Sequence, residues 1–228
     1  MFSYYGSKSK IVGCYPYPKH DKIIEPFAGS ARYSLKHFEK DILLVDKYEV
    51  IVRIWHYLQA ASPQDILKLP EPIYKEDIRD YNVSEDEKLL LGFLVARGVA
   101  SPQNIVQQFS DIKSAKKDIA QQLYKIKHWK IKQGDYKEIP NLTATWFVDP
   151  PYEFGGEHYR MNNKNISYTH LATWCKDRNG QVIVCENSKA GWMPFKQMAE
   201  TNGAYDTTME VIWSNQPTVY DNEQIPLF

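Results

Sequence analysis

Two short apolar runs, KIIEPF at 22–27 and DILLVD at 41–46, each give way to a helical pattern, and this alternation narrows the fold more than any other feature of the chain. The first run breaks at Pro26 and Gly29, after which SARYSLKHF (30–38) reads as a helix with Ser30 as its N-cap. The second leads into EVIVRIWHYLQAA (49–61), which reads as the following helix. Strand, helix, strand, helix at these intervals predicts a parallel sheet with covered faces, a Rossmann-like α/β fold.

With 228 residues, 43% of them hydrophobic, the chain can bury the core of one large α/β domain or of a domain with a subdomain. The middle departs from the opening pattern. SEDEKLLLGFLVARG (84–98) carries a capping box, Ser84 with Glu87, and a stop at Gly98. SPQN (101–104) offers a further helix start, and Ile112, Ala115, Ile119, Leu123 and Ile126 recur at helical spacing up to Trp129. Residues 62–132 are therefore expected to form a mainly helical insertion between two sheet-forming parts, 1–61 and 133–228. The sheet resumes with ATWFVD (144–149) and QVIVCEN (181–187), separated by a helix around 169–178. TTMEVIWS (207–214) and PTVY (217–220) read as a closing antiparallel hairpin turned through Asn215 and Gln216.

Formal net charge is zero, so no global basic field announces a nucleic-acid partner. Local charge is uneven. Seven lysines against two aspartates lie between Asp111 and Lys132, and seven acids against three bases between Glu71 and Leu90. Cys14, Cys175 and Cys185 are an odd, widely spaced set without histidines at ligand spacing, which argues against a disulfide framework and against a zinc site. No apolar run approaches ~18 residues and no leader pattern opens the sequence, so a soluble, cytosolic protein without membrane association is expected.

Two motifs carry chemistry. EPFAGSA (25–31) follows a strand and opens a helix, as a nucleotide-type cofactor loop does, but it has one glycine where a dinucleotide fingerprint has three. Asp46 stands 21 residues beyond Glu25 at the end of the second strand, where an acid can accept both hydroxyls of a ribose; it can equally cap the next helix. The second motif is Asp149-Pro150-Pro151-Tyr152. Proline cannot donate to a sheet ladder, so the strand ends while holding out a carboxylate, a rigid backbone and an aromatic ring. The exocyclic amine of a nucleobase is a poor nucleophile because its lone pair is delocalised into the ring. A carboxylate and a fixed backbone carbonyl, here Asp149 and Pro150, can each accept one N–H and draw the nitrogen toward an attacking geometry. Tyr152 can stack on a base extruded from its helix.

These motifs, with YYGSKSK near the N-terminus, resemble the Dam-like, α-class DNA adenine-N6 methyltransferases in kind and in order. A closing hairpin on an otherwise parallel sheet likewise fits the methyltransferase variant of the Rossmann-like fold. The resemblance implies S-adenosyl-L-methionine (AdoMet) as cofactor, double-stranded DNA as substrate, a helical target-recognition insertion, and a setting in a prokaryotic cell or phage-infected host. It also implies that Tyr4 and Lys8 contact AdoMet, with Lys8 near its carboxylate or the reaction centre. Glu25, Phe27, Ala28, Gly29 and Ser30 would wrap it and Asp46 would hold its ribose. Asp135 and Tyr136, in GDY (134–136), would meet its adenine, and SYTHLATW (167–174) would pack beside it. The resemblance is thin over 62–132, where the asparagine–arginine signature of the family's recognition region is not clear.

Simpler readings stand beside these. Asp135 can be a turn residue before YKEIP. Trp55, Trp129, Trp174 and Trp213 suit a core better than a base-stacking surface, and His158 and His170 suit structural or solvated roles. For DNA, Lys113, Lys116 and Lys117 share a predicted helix face and are candidates for phosphate contacts. Arg160 lies in EHYRMNNKN (157–165), read as a mobile loop over the target strand. Rival functions are methylation of an RNA base amine or of cytosine N4, or a non-catalytic AdoMet- or DNA-binding subunit. A protein partner or homodimer is left open, and a nicotinamide oxidoreductase lacks its glycines.

Overall fold

The computed structural model describes residues 1, 2, 4–202 and 207–218. Seven strands among them, β1 (Lys22–Glu25), β2 (Asp41–Asp46), β3 (Lys130–Gln133), β4 (Ala144–Val148), β5 (Gly180–Asn187), β6 (Lys196–Asn202) and β7 (Thr207–Ser214), form one sheet in the order β3-β2-β1-β4-β5-β7-β6. The first five run parallel, and β7 lies antiparallel between β5 and β6. This is the methyltransferase variant of the Rossmann-like sheet that the sequence predicts. Burial follows position: all five residues of the central β4 are buried, whereas edge strand β3 buries Ile131 alone.

The helices are α1 (Arg32–Lys36), α2 (Glu49–Ala60), α3 (Pro63–Lys68), α4 (Glu85–Leu94), α5 (Ile112–Gln122) and α6 (Tyr168–Lys176). On one sheet face, Ile51, Ile54, Trp55 and Leu58 of α2 pack with Leu90, Leu91 and Phe93 of α4 and with Phe2 from the N-terminal segment. Each fully buried side chain of this size contributes roughly 1.5–3 kcal/mol. On the other face, Leu171, Trp174 and Cys175 of α6 pack against Trp146, Val148 and Tyr136. The helical segment after α2 shares the first cluster, through Ile112, Ile119 and Leu123, instead of having a core of its own.

Several boundaries differ from expectation. Helix α1 is only five residues, because Gly29 and Ala31 both take left-handed backbone (φ 47° and 46°) and delay the helix past Ser30. The capping box on Ser84 is present, but α4 stops at Leu94, before Gly98. No helix begins at 101–104. Gln103 N–H instead donates to Gly92 O (2.9 Å), and a Cβ on Gly92 would sit 2.5 Å from Pro102 Cβ, so the chain crosses α4 where only glycine admits it. Residues 130–132, assigned to the insertion, belong to β3. The hairpin partner of β7 is β6, because β7 already carries ladders on both sides; Pro217 and Thr218 are not in a strand, and 219–220 lie outside the described residues. No helix among the described residues is long and apolar enough to cross a membrane.

Candidate active site

An open cavity of about 920 Å³, solvent at its mouth included, lies at the carboxyl ends of β1 to β4. Strand order turns back between β1 and β4, and open α/β sheets bind ligands at such switch points. Tyr4, Lys8, Glu25, Phe27, Ala28, Gly29, Ser30, Asp46, Asp135, Tyr136, Asp149 and Pro151 all line it, so the sequence-predicted residues from five segments converge. Pro150 and Tyr152 are not in its wall.

The glycine loop is held from three sides. Ala28 N–H donates to Val45 O (3.0 Å), Trp55 Nε1 to Gly29 O (2.9 Å), and Gly29 N–H to Asp46 Oδ2 (2.9 Å). A side chain on Gly29 would meet the Tyr4 ring, 3.2 Å from the Cβ position. The other Asp46 oxygen accepts Tyr48 N–H (2.8 Å). Tyr48, not Asp46, is the N-cap of α2, so Asp46 does not cap that helix. Burial pushes the Asp46 carboxyl up to about 6 against the pull of these two N–H groups. Glu25, pushed up to about 8 by burial, accepts Ser34 N–H (2.7 Å).

At the far side of the loop, Phe27 and Tyr136 present adjacent rings, centroids 5.4 Å apart, and the Tyr136 hydroxyl meets His170 Nδ1 (2.9 Å). His170 is thus tied to the cavity through Tyr136. Asp135 is both things at once: it caps the 3₁₀ turn Tyr136–Glu138 with a capping box and lines the cavity. Burial works against its charge, but Lys137 N–H and the Lys47 ammonium (3.0 Å) outweigh it and hold the carboxyl below its ordinary range. Arg32, which follows the loop, donates from Nε to Ser7 Oγ (3.0 Å) and from Nη2 to Phe2 O (2.8 Å). It has no carboxylate partner among the described residues, which leaves a guanidinium in the cavity wall.

Asp149 lies at the end of β4 with its Oδ1 3.2 Å from Lys8 Nζ. Lys8 also stands 3.6 Å from Glu210 Oε1, touches the Tyr152 hydroxyl, and lies 4.4 Å above the centre of the Tyr152 ring. Burial opposes the ammonium charge, but Asp149 and Glu210 together overcome it and raise Lys8 well above its ordinary range. Asp149 itself is pushed up to about 6, chiefly by burial, with Lys8 opposing and Glu210 adding to the shift. Tyr152 therefore is not a free stacking platform. Lys8 covers one face of its ring and its hydroxyl donates to Glu210 (2.7 Å).

The polar segment 157–165 borders the cavity through Tyr159, Met161, Asn162 and Asn165. Tyr159 donates to Tyr5 O (3.1 Å) and packs its ring on Tyr4 and Tyr5, joining this segment to the N-terminal motif. Arg160 is exposed beside the Tyr48 hydroxyl. Of the three lysines on α5, Lys113 and Lys117 are exposed, but Lys116 is buried, donating to Leu69 O and to Glu71 Oε1 (2.9 Å). Its long stem follows the apolar stripe inward, so it cannot reach a phosphate. Trp55, Trp129 and Trp174 are core residues, as expected. Among the described residues, no group of three His, Cys, Asp or Glu is placed to hold a metal ion.

Sequence reasoning passed over Glu210, Arg32 and Tyr159. The signal for Glu210 was present: a lone acid inside the apolar strand TTMEVIWS. Arg32 adjoins the glycine loop but fits no spacing rule, and Tyr159 gave no sign among sixteen tyrosines.

No protein-family model and no curated protein matches the sequence. Among solved structures, similar chains include a conserved hypothetical protein of Streptococcus pyogenes, at 9% identity and a TM-score of 0.38 over 86% of each chain. Another is the rRNA methyltransferase AviRa of Streptomyces viridochromogenes, at 10% identity and a TM-score of 0.39, covering 88% of this chain and 80% of that one. At this distance they carry no information about the site, whose chemistry rests on its own residues.

Proposed function

We propose that the protein is an AdoMet-dependent methyltransferase that modifies the exocyclic amine of a nucleobase, N6 of adenine in DNA. The observation that carries the reading is the convergence, in one cavity, of the glycine loop with Asp46 and of the tetrad's Asp149. The donor set fits the cofactor. Asp46 offers carboxylate lone pairs for ribose hydroxyls, Phe27 and Tyr136 offer an apolar slot for a base, Arg32 offers a cation for an amino acid's carboxylate, and the Glu25 carboxyl offers an acceptor for its ammonium. Lys8 is committed to Asp149 and Glu210, so the cofactor's carboxylate falls to Arg32, and Lys8 takes the reaction-centre role.

When bound, AdoMet supplies an electrophilic methyl group on a sulfonium. The rest is done by the chain. Asp149 accepts one N–H of the amine and orients its lone pair. The methyl replaces one amine proton; Asp149 Oδ takes that proton and, with a carboxyl that titrates near pH 6, returns it to solvent. The hydroxyl of Tyr168 donates to Pro151 O (2.6 Å), which holds the tetrad's backbone still.

The substrate class is tested by incubating purified protein with methyl-tritiated AdoMet and either adenine-unmethylated plasmid DNA or total RNA. Label in DNA supports the reading. Label in RNA alone assigns the same chemistry to the other nucleic acid, and label in neither removes it.

A further inference from the structure

Glu210 lies two strands away from Asp149. In β4, Phe147 and Asp149 share a face with Ile183 and Cys185 of β5, and Glu210 and Ile212 continue it on β7. With strands ~4.8 Å apart the two backbones are about 10 Å from each other, so the carboxylates meet only through what lies between them. That is the Lys8 ammonium, 3.2 Å from one and 3.6 Å from the other. Glu210 Oε1 also accepts the hydroxyls of Tyr15 and Tyr152, each at 2.7 Å. A buried acid in an otherwise apolar strand is costly unless its lone pairs are filled, and here three donors converge on one oxygen. Packing alone would be served by an aliphatic residue.

We propose that Glu210 is a positioning residue of the methyl-transfer site: it shares Lys8 with Asp149, so that the ion pair does not fully neutralise the tetrad's carboxylate, and it anchors the hydroxyl of Tyr152. This rests on the methyltransferase reading for its purpose, but the charge coupling exists without substrate. Facing Asp149 are Lys8 and Tyr15 from the N-terminal segment, Glu25 from β1, Tyr152 and Tyr159 after β4, Cys185 and Glu186 from β5, and Glu210 from β7. Glu210 and Asp149 both reach Lys8 and the Tyr152 hydroxyl, so the two acids share one cation and one hydroxyl.

The test is Glu210→Gln, which keeps shape and removes charge. Losing a like charge lowers the Asp149 titration, so the acid limb of the turnover profile, expected near pH 6 in the parent, moves toward acid by on the order of one unit. Turnover falls on the order of 10–100-fold through loss of alignment, while AdoMet affinity holds. A merely structural role would lower the amount of folded protein and leave the limb in place. Carbon-13 NMR of the Asp149 carboxyl in the ligand-free protein reads the same shift without any substrate. A chain that moves no methyl group yet shows this shift would sink the transfer reading and keep the coupling. An unmoved carboxyl titration overturns the proposal. Should Glu210→Gln fail to fold, Tyr152→Phe removes the hydroxyl that Glu210 anchors and that also reaches Asp149. Its ring is intact, so wild-type turnover in that variant overturns the proposal, and a loss of tenfold or so supports it.

Discussion

Two buried lysines mark two regions of this molecule built on different principles. Lys8 sits at the carboxyl ends of the strands between Asp149 and Glu210, with Tyr152 beneath it, in the wall of a cavity. Lys116 sits in the helical segment and ties α5 to the chain at 69–71 through Leu69 O and the half-exposed Glu71. The first has more charge around it than it can neutralise, and the second has one partner that water can also serve. Surplus charge held beside an open cavity points to chemistry; a matched pair under a helix is construction.

The comparison breaks most readily at the acid that Lys8 serves. Asp149→Ala is expected to cut turnover by about 10²–10⁴-fold, the usual worth of a positioned proton acceptor, while cofactor binding is largely kept. Near-wild-type turnover would remove Asp149 from the mechanism.

Next come the lysines themselves. Lys8→Met leaves the buried Glu210 and the part-buried Asp149 without their shared cation and should cost about 3–5 kcal/mol of stability. Part of it should return at acid pH. Lys8 holds the folded Asp149 carboxyl down to about 6, so without the ammonium that carboxyl takes its proton at higher pH, and the deficit shrinks as pH falls toward 6. Lys116→Met strands one carbonyl while Glu71 hydrates, and should cost about 1–2 kcal/mol with cofactor affinity unchanged. Equal losses in thermal melts at pH 5 and pH 8 would erase the distinction.

Asp46→Ala sharpens the cofactor side. Losing a charge-assisted contact should weaken AdoMet binding by ~1.5–3 kcal/mol in calorimetry, with an unaltered far-UV spectrum as folding control. Wild-type affinity would take Asp46 out of the site.

The smallest effect belongs to the exposed face of α5. If Lys113 and Lys117 meet phosphates, their double alanine variant should flatten the log–log salt dependence of duplex binding by about two and leave AdoMet binding alone. A parental slope would make them a solvated helix face.

How far each region could be read beforehand follows the same divide. β1, β2, β4 and β5 announce themselves as apolar runs ended by proline, glycine or acid, and their ends carry the cavity; Asp46 and Asp149 were legible because a strand that stops on a carboxylate is unusual. The helical segment offered periodicity, a capping box at Ser84 that forms, and punctuation at Gly98 and SPQN that does not. SPQN looked like a helix start, but the chain there is held across Gly92 by a tertiary hydrogen bond that no local signal encodes. Lys116 shows the limit of face-counting: a lysine at the border of an apolar stripe can snorkel inward once an acid and a carbonyl wait there. Glu210 was missed for the opposite reason, since its meaning depends on Lys8, some two hundred residues away in sequence.

The central claim is that Asp149 in this cavity directs a methyl group to an adenine amine. The most direct measurement is mass spectrometry of nucleosides from plasmid DNA treated with the protein and AdoMet, wild type beside Asp149→Ala. The account predicts N6-methyldeoxyadenosine from the wild type and none from the variant. Methylation of cytosine alone, or N6-methyldeoxyadenosine undiminished in the variant, would contradict it.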